Sequence, residues 1–364
     1  CRRMTDGYRG PMRVRTILNR WAALALLVAL VPLPALAEEP VETAVKAWVS
    51  AIDQSPDWRA GYAGLVVDPA TEKATLTGLT VASERPGITL TLDTVDIDGY
   101  RATGDGTFAA REIDIAGGSL KTSFVSVALP KARIDAVVLP MSGGGAWDDG
   151  QPTLSLLRFL APLAGVRAAS VLAESLVLTE TIDTIESTTT YTQVRLTGWG
   201  DGKISLLQSG PLDAQSPAND PLVATSATSS ETHDLDLGAI LHAFDPAEYA
   251  NGVGDMAWRQ AVGSAAYHDV TLKIPSVALT IGDATLDDVR LRQTRQPPTW
   301  TTAAAGTGTP TELPDALLKS LEDLSGYGIG ALTLHDLNVR AEGLDHLQRG
   351  DLSRKALSLD RIGE

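Results

Sequence analysis

Leu90-Thr91-Leu92-Asp93-Thr94-Val95-Asp96-Ile97 (LTLDTVDI) changes phase halfway along its length. Leu90 and Leu92 alternate with threonines, as a half-buried strand requires. Val95 and Ile97 then alternate on the opposite parity. One residue inserted between the halves keeps all four apolar side chains on one face, which is what a β-bulge does.

The same octad (apolar, any, apolar, two polar or turn-like residues, apolar, any, apolar) returns along the chain. It occurs at Ala74–Val81 with Leu76, Leu79 and Val81, at Phe108–Ile115 with Ile113 and Ile115, and at Val127–Ile134. Further copies are Val171–Leu178 with Leu176 and Leu178, and Thr189–Leu196 with Val194 and Leu196. Ala265–Leu272 carries Val270 and Leu272, and Ala284–Leu291 carries Leu286, Val289 and Leu291. Leu332–Val339 carries Leu332, Leu334, Leu337 and Val339, and Leu357–Glu364 loses the final apolar position. The inserted pair is polar nearly every time, which suits a bulge facing water. The first four copies start at 74, 90, 108 and 127, a spacing too regular for chance. The fold class expected is mainly β with a few helices: repeated bulged antiparallel strands forming an elongated, curved sheet or groove. The apolar residues named in these octads are the candidate binding face.

The first 37 residues read as an export signal. Arg13, Arg15 and Arg20 precede an apolar run from Trp21 to Val31, then Pro32, Pro34 and Ala35-Leu36-Ala37. A basic region, an apolar stretch too short for a comfortable membrane span and an Ala-x-Ala site predict cleavage after Ala37. The one cysteine, Cys1, lies in this segment, so the mature chain has none. An exported protein without disulfides reads as periplasmic. Removing residues 1–37 takes away six arginines and one aspartate, leaving 24 basic against 44 acidic residues. That field disfavours nucleic acid and anionic membranes as partners.

Four regions follow from composition. Residues 1–37 are signal and upstream residues; 38–150 hold an N-terminal helix (38–53) and a first β-repeat sheet. Residues 151–249 hold a Leu-rich helix (151–166), a second β-repeat sheet, a Ser/Thr/Pro-rich loop at 212–230 and a helix at 235–249. Residues 250–364 hold a third β-stretch, a linker (297–314), a short helix (313–324) and an incomplete final repeat. Sheets separated by single helices point to an elongated stack.

Chemistry is hard to find. His233, His242, His268, His335 and His346 form no recognised ligand pair, and His268 and His335 fall in the polar middle of octads. Asp93, Asp96 and Asp98 lack EF-hand spacing and read as strand-surface residues. Gly143-Gly144-Gly145 lacks the lysine of a phosphate loop. No Gly-x-Ser-x-Gly elbow occurs. Asp287-Asp288 serves glycoside hydrolysis only opposite another carboxylate. Neither an enzyme activity, a cofactor nor a metal is expected.

The octads, above all ATLTGLTV, LTLDTVDI and LTLHDLNV, resemble the repeats of AsmA-like and related periplasmic envelope proteins. The resemblance covers most of 60–290 and again 327–364. It implies a long curved β-groove associated with lipid movement or outer-membrane assembly, and it carries over no site residues. That family keeps an N-terminal membrane anchor, whereas this chain is expected to lose its signal. The leading expectation is a non-enzymatic periplasmic protein binding lipid or an envelope protein through an apolar sheet face. The alternatives are a parallel β-helix acting on polysaccharide, for which a row of carboxylates on a parallel sheet is required, and a scaffold with no small ligand.

Overall fold

The computed structural model describes residues 41–294 and 326–341, except 55–57, 69, 84–86, 103–107, 123–124, 140–163, 183–184, 216–223, 246–247, 250–252 and 275–276. The expected signal, the helices at 151–166 and 313–324, the linker at 297–314 and the octad at 357–364 lie wholly or largely outside these residues.

Helix α1 (Val41–Asp53) buries Val41, Val45, Trp48 and Val49 on one stripe. The first strands are β1 (Trp58–Gly61), β2 (Gly64–Asp68), β3 (Lys73–Ser83), β4 (Ile88–Asp98), β5 (Arg101–Ala102), β6 (Phe108–Lys121) and β7 (Val125–Leu139). Next come β8 (Ala168–Ile182), β9 (Ile185–Gly200), β10 (Lys203–Ser209), β11 (Leu212–Gln215), β12 (Ala224–Ala227) and β13 (Ser229–Asp236). Helix α2 (Leu237–Phe244) leads to β14 (Arg259–Ile274), β15 (Val277–Leu291), β16 (Tyr327–His335) and β17 (Asn338–Ala341).

All of these strands belong to one sheet, and it is a meander. β1 and β2 end to end pair with β3, which pairs with β4, then β6, β7, β8 and β9. β9 pairs with β10 and β11 in line, these with β13 and β12, then β14, β15 and finally β16 with β17. Every pairing is antiparallel, which removes the parallel β-helix reading and its row of stacked carboxylates. Pairing also runs unbroken from β7 to β8 and from β13 to β14. One continuous sheet thus replaces the expected stack of separate ones, because each hairpin's outer edge needs a hydrogen-bonding partner and the next strand supplies it.

The phase change is real, and it is aligned from strand to strand. Between β3 and β4 the register passes from Thr77↔Thr94 to Leu79↔Leu92, leaving Gly78 facing Asp93 outside the ladder. The same gap puts Asp93 against Gly117, Arg111 against Ala136, Ala169 against Gly198 and Glu174 against Gln193. Two rows of paired bulges, one residue in each partner strand so that the register is kept, therefore cross the sheet, and the register itself shifts between Gln260 and Val262. One row breaks β1 from β2, β10 from β11, β12 from β13 and β16 from β17. Left-handed residues stand in these rows as the second of an inserted pair at Gly78 (φ 61°), Gln193 (52°), Asp269 (48°), Asp288 (53°) and Asp336 (54°), and also at Gly117 (65°) and Ala136 (49°). Glycine and aspartate tolerate that region best, and they fill most of these positions. Bulges bend strands, and rows of them curve the sheet about an axis across the strands.

Between bulges the apolar side chains stay on one face. Leu76, Val81, Leu120, Val127, Val137 and Leu178 are at most 1% exposed and belong to one core cluster that runs from α1 through β3 to β10 and takes in Leu235 of β13. The opposite face carries cross-strand polar pairs such as Thr91 with Ser119, 2.7 Å apart, and Arg133 with Asp114 at 2.8 Å. Two expectations change. The stretch 212–230 contributes β11, β12 and the start of β13 rather than a loop throughout. The helix expected at 235–249 is only Leu237–Phe244, because Leu235 is buried in the sheet and Asp236 becomes the cap, accepting from the Ala239 amide at 2.9 Å. It stops at Asp245, whose extended backbone (ψ 116°) suits a residue that precedes proline.

Candidate functional site

The predicted apolar face divides into two environments. Leu76, Leu79, Val81, Leu90, Leu92, Val95, Ile97, Ile113, Ile115, Leu176, Leu178, Val194 and Leu196 are all buried, at 8% exposure or less. They form the protein's own core. Further along, Val270, Leu272, Leu286, Val289, Leu332, Leu334 and Leu337 are only half-buried. Leu291 is buried under α2 in a small cluster with Ala239, Ala243, Phe244 and Ala261. Val339 is 55% exposed.

Register makes the half-buried group continuous. Val270 faces Ile281, Leu272 faces Leu279, Val262 faces Val289 and Ala265 faces Leu286. Leu286 in turn faces Leu332, Ala284 faces Leu334 and Leu279 faces Val339. Cross-strand neighbours of this kind sit about 5 Å apart at Cβ. An aliphatic patch thus spreads over β14, β15, β16 and β17, in line with the buried face of β3 to β9. Such a surface can offer van der Waals contact and displacement of water.

A polar cleft of about 800 Å³ lies between α2 and strands β10, β13 and β14. His242 lines it, with Nδ1 3.2 Å from Glu248 and Nε2 3.3 Å from Asp255. Asp255 also accepts from Arg259 at 3.4 Å. Its carboxyl is held below the usual range, first by the Ala257 amide and then by His242 and Arg259. Gln293, 1% exposed, ties the wall together. Its Nε2 donates to the His242 and Glu248 carbonyls at 3.0 and 3.1 Å, and its Oε1 accepts from the Asp255 amide at 2.9 Å. Every polar atom of that amide is used, so the arrangement is a bracket holding the end of α2 against the sheet. Nothing local in the sequence joins residues 242, 248, 255 and 293, and reading residue by residue misses them.

Two other histidines, His268 and His335, occupy the polar middle of octads. His268 lies on the polar face, 43% exposed, 2.6 Å from Asp283, and His335 is exposed. Asp96 accepts from Thr75, and Asp98 pairs with Arg111 at 2.6 Å and Lys73 at 3.3 Å, so these aspartates are strand-surface groups. Asp288 pairs with Arg290. Among the described residues no cluster of His, Cys, Asp and Glu has a metal-binding arrangement, and no helix is long and apolar enough to cross a membrane. No family model, no curated protein and no solved structure matches this chain.

Proposed function

We propose that the chain is an exported, non-enzymatic envelope protein that binds the acyl part of a lipid on the apolar patch of β14 to β17. One observation carries the reading. The same octad pattern is sealed between β3 and β9 and half-exposed between β14 and β17, although the residue types are alike. Leu286, Leu332 and Leu334 belong inside by chemistry, and an aliphatic ligand would complete their burial at about 25 cal/mol per Å² covered. The basic and apolar N-terminal stretch before Ala37 supports export. The likeness of the octads to AsmA-like repeats supports an envelope role. The acidic cleft around His242 is a structural bracket in this reading.

Native mass spectrometry of the purified protein, followed by lipid extraction, tests it. Acyl lipid at near-integral stoichiometry is expected. The delipidated protein should then take up a fluorescent fatty acid, and Leu286→Asp or Leu334→Asp should weaken uptake at least tenfold. Val66→Asp, on the polar face of β2, should leave it unchanged. A clean apo mass together with no fatty-acid uptake defeats the proposal.

A further inference from the structure

The last three full-length strands repeat an eleven-residue motif: Val262–Leu272 (VGSAAYHDVTL), Ile281–Leu291 (IGDATLDDVRL) and Ile329–Val339 (IGALTLHDLNV). Glycine stands three residues before a central Ala266, Thr285 or Thr333, and aspartate three residues after it. Adjacent copies pair about those centres, Ala266 on Thr285 and Thr285 on Thr333. This is pseudo-twofold pairing, and it lays each left-handed aspartate over a glycine of the neighbour. A Cβ at Gly282 would lie 3.1 Å from that of Asp336, and one at Gly330 would lie 2.8 Å from that of Asp288. Glycine is therefore required opposite the bulged aspartate.

The rung β16–β17 keeps both halves of this device, Gly330 and Asp336. Its inner edge uses them against β15. No described residue pairs with its outer edge, and β16 (YGIGALTLH) contains no charged residue or proline to discourage pairing. The opposite edge of the sheet is guarded. There the Asp53 carboxylate of α1 accepts from the Ala60 amide at 3.1 Å, and Arg59 donates to the Trp58 carbonyl at 2.7 Å.

We infer that this edge is completed by the same edge of a second copy of the chain, with a twofold axis through Thr333. That rotation opposes Thr333 to its symmetry mate and Leu332 to Leu334 of the second copy. Ile329 then meets Leu337, Tyr327 meets Val339, and Gly330 meets Asp336. Each opposition repeats one already made between β15 and β16, where Leu286 meets Leu332 and Val289 meets Ile329. The exposed Val339 gains a neighbour, and the closed isologous contact stops at two copies. The octad Leu357–Glu364 does not match this edge: with Ser358 in the place of Thr333, it has Lys355 in the glycine place and Arg361 in the aspartate place. The inference is independent of lipid binding.

The test is light scattering after size exclusion on the full chain, across a wide concentration range. The wild type should elute as a dimer. Thr333→Lys, which places like charges face to face across the axis, should give a monomer with an unchanged circular dichroism spectrum. Thr333→Cys in a Cys1→Ser background should form a disulfide-linked dimer in air, whereas Thr75→Cys on β3 should not. A wild type that stays monomeric at the highest concentration overturns the inference. So does a dimer that Thr333→Lys leaves intact, or a Thr333→Cys chain that links no better than Thr75→Cys.

Discussion

Gly117→Ala should be among the most damaging one-carbon changes in the protein, and the reasons separate cleanly. Gly117 has φ 65°, in the left-handed region, where a Cβ costs about 1–2 kcal/mol. It also lies in the bulge row directly under Asp93. The added methyl would stand 2.7 Å from the Asp93 Cβ, about an ångström inside normal carbon contact. Forcing such an overlap into a packed sheet costs typically about 1–3 kcal/mol. The sum is about 2–5 kcal/mol. Replacing Asp93 by Gly in the same chain removes the overlap and leaves the backbone term, so the double variant should recover about 1–3 kcal/mol relative to Gly117→Ala alone. Ala136 is the complementary case: it already sits at φ 49° and carries the backbone strain. Ala136→Gly relieves that strain and loosens the unfolded chain by a similar amount, so its net effect should lie within about 1 kcal/mol of zero. Urea denaturation followed by tryptophan fluorescence reads all four proteins. A neutral Gly117→Ala, or an Ala136→Gly chain as unstable as Gly117→Ala, refutes the account of aligned left-handed bulges.

Two further outcomes follow from the same structure. Leu120→Ala opens a cavity at a side chain 1% exposed and should cost about 2–5 kcal/mol, while Leu334→Ala, half-buried on the open patch, should cost less than half as much by the same denaturation assay. Asp98 has its carboxyl pulled down by the Arg111 guanidinium first and by Lys73. Its folded value lies below the unfolded value of about 3.9, so its contribution is present above that pH and is lost as pH falls through the folded value. The gap in urea midpoint between wild type and Asp98→Asn should accordingly be wider at pH 6 than at pH 3, and a constant gap contradicts the pairing.

The strands, their faces and their bulges were legible from the octads, because period and phase are local properties of a chain. Leu90, Leu92, Val95 and Ile97 share a face in the sequence and share it in the fold. The left-handed backbone at Gly78, Asp288 and Asp336 came only with the structure, because the polar pairs of the octads do not state which residue turns. The cap at Asp236 was obscured by a helical pattern running through Leu235, and strand pairing with Lys203 decided the boundary. The His242–Gln293 bracket joins residues 51 positions apart and has no local signature. What the tertiary structure alone decided is continuity and coverage. ATLTGLTV at 74–81 and LTLHDLNV at 332–339 share one pattern of apolar positions, yet Leu76 is sealed and Leu334 is half-open. Alternation states which way a side chain points; whether anything stands opposite it depends on distant parts of the chain. That is why the β-stretches join in one elongated sheet rather than a stack of separate ones, and why the patch of β14 to β17 emerges only in three dimensions.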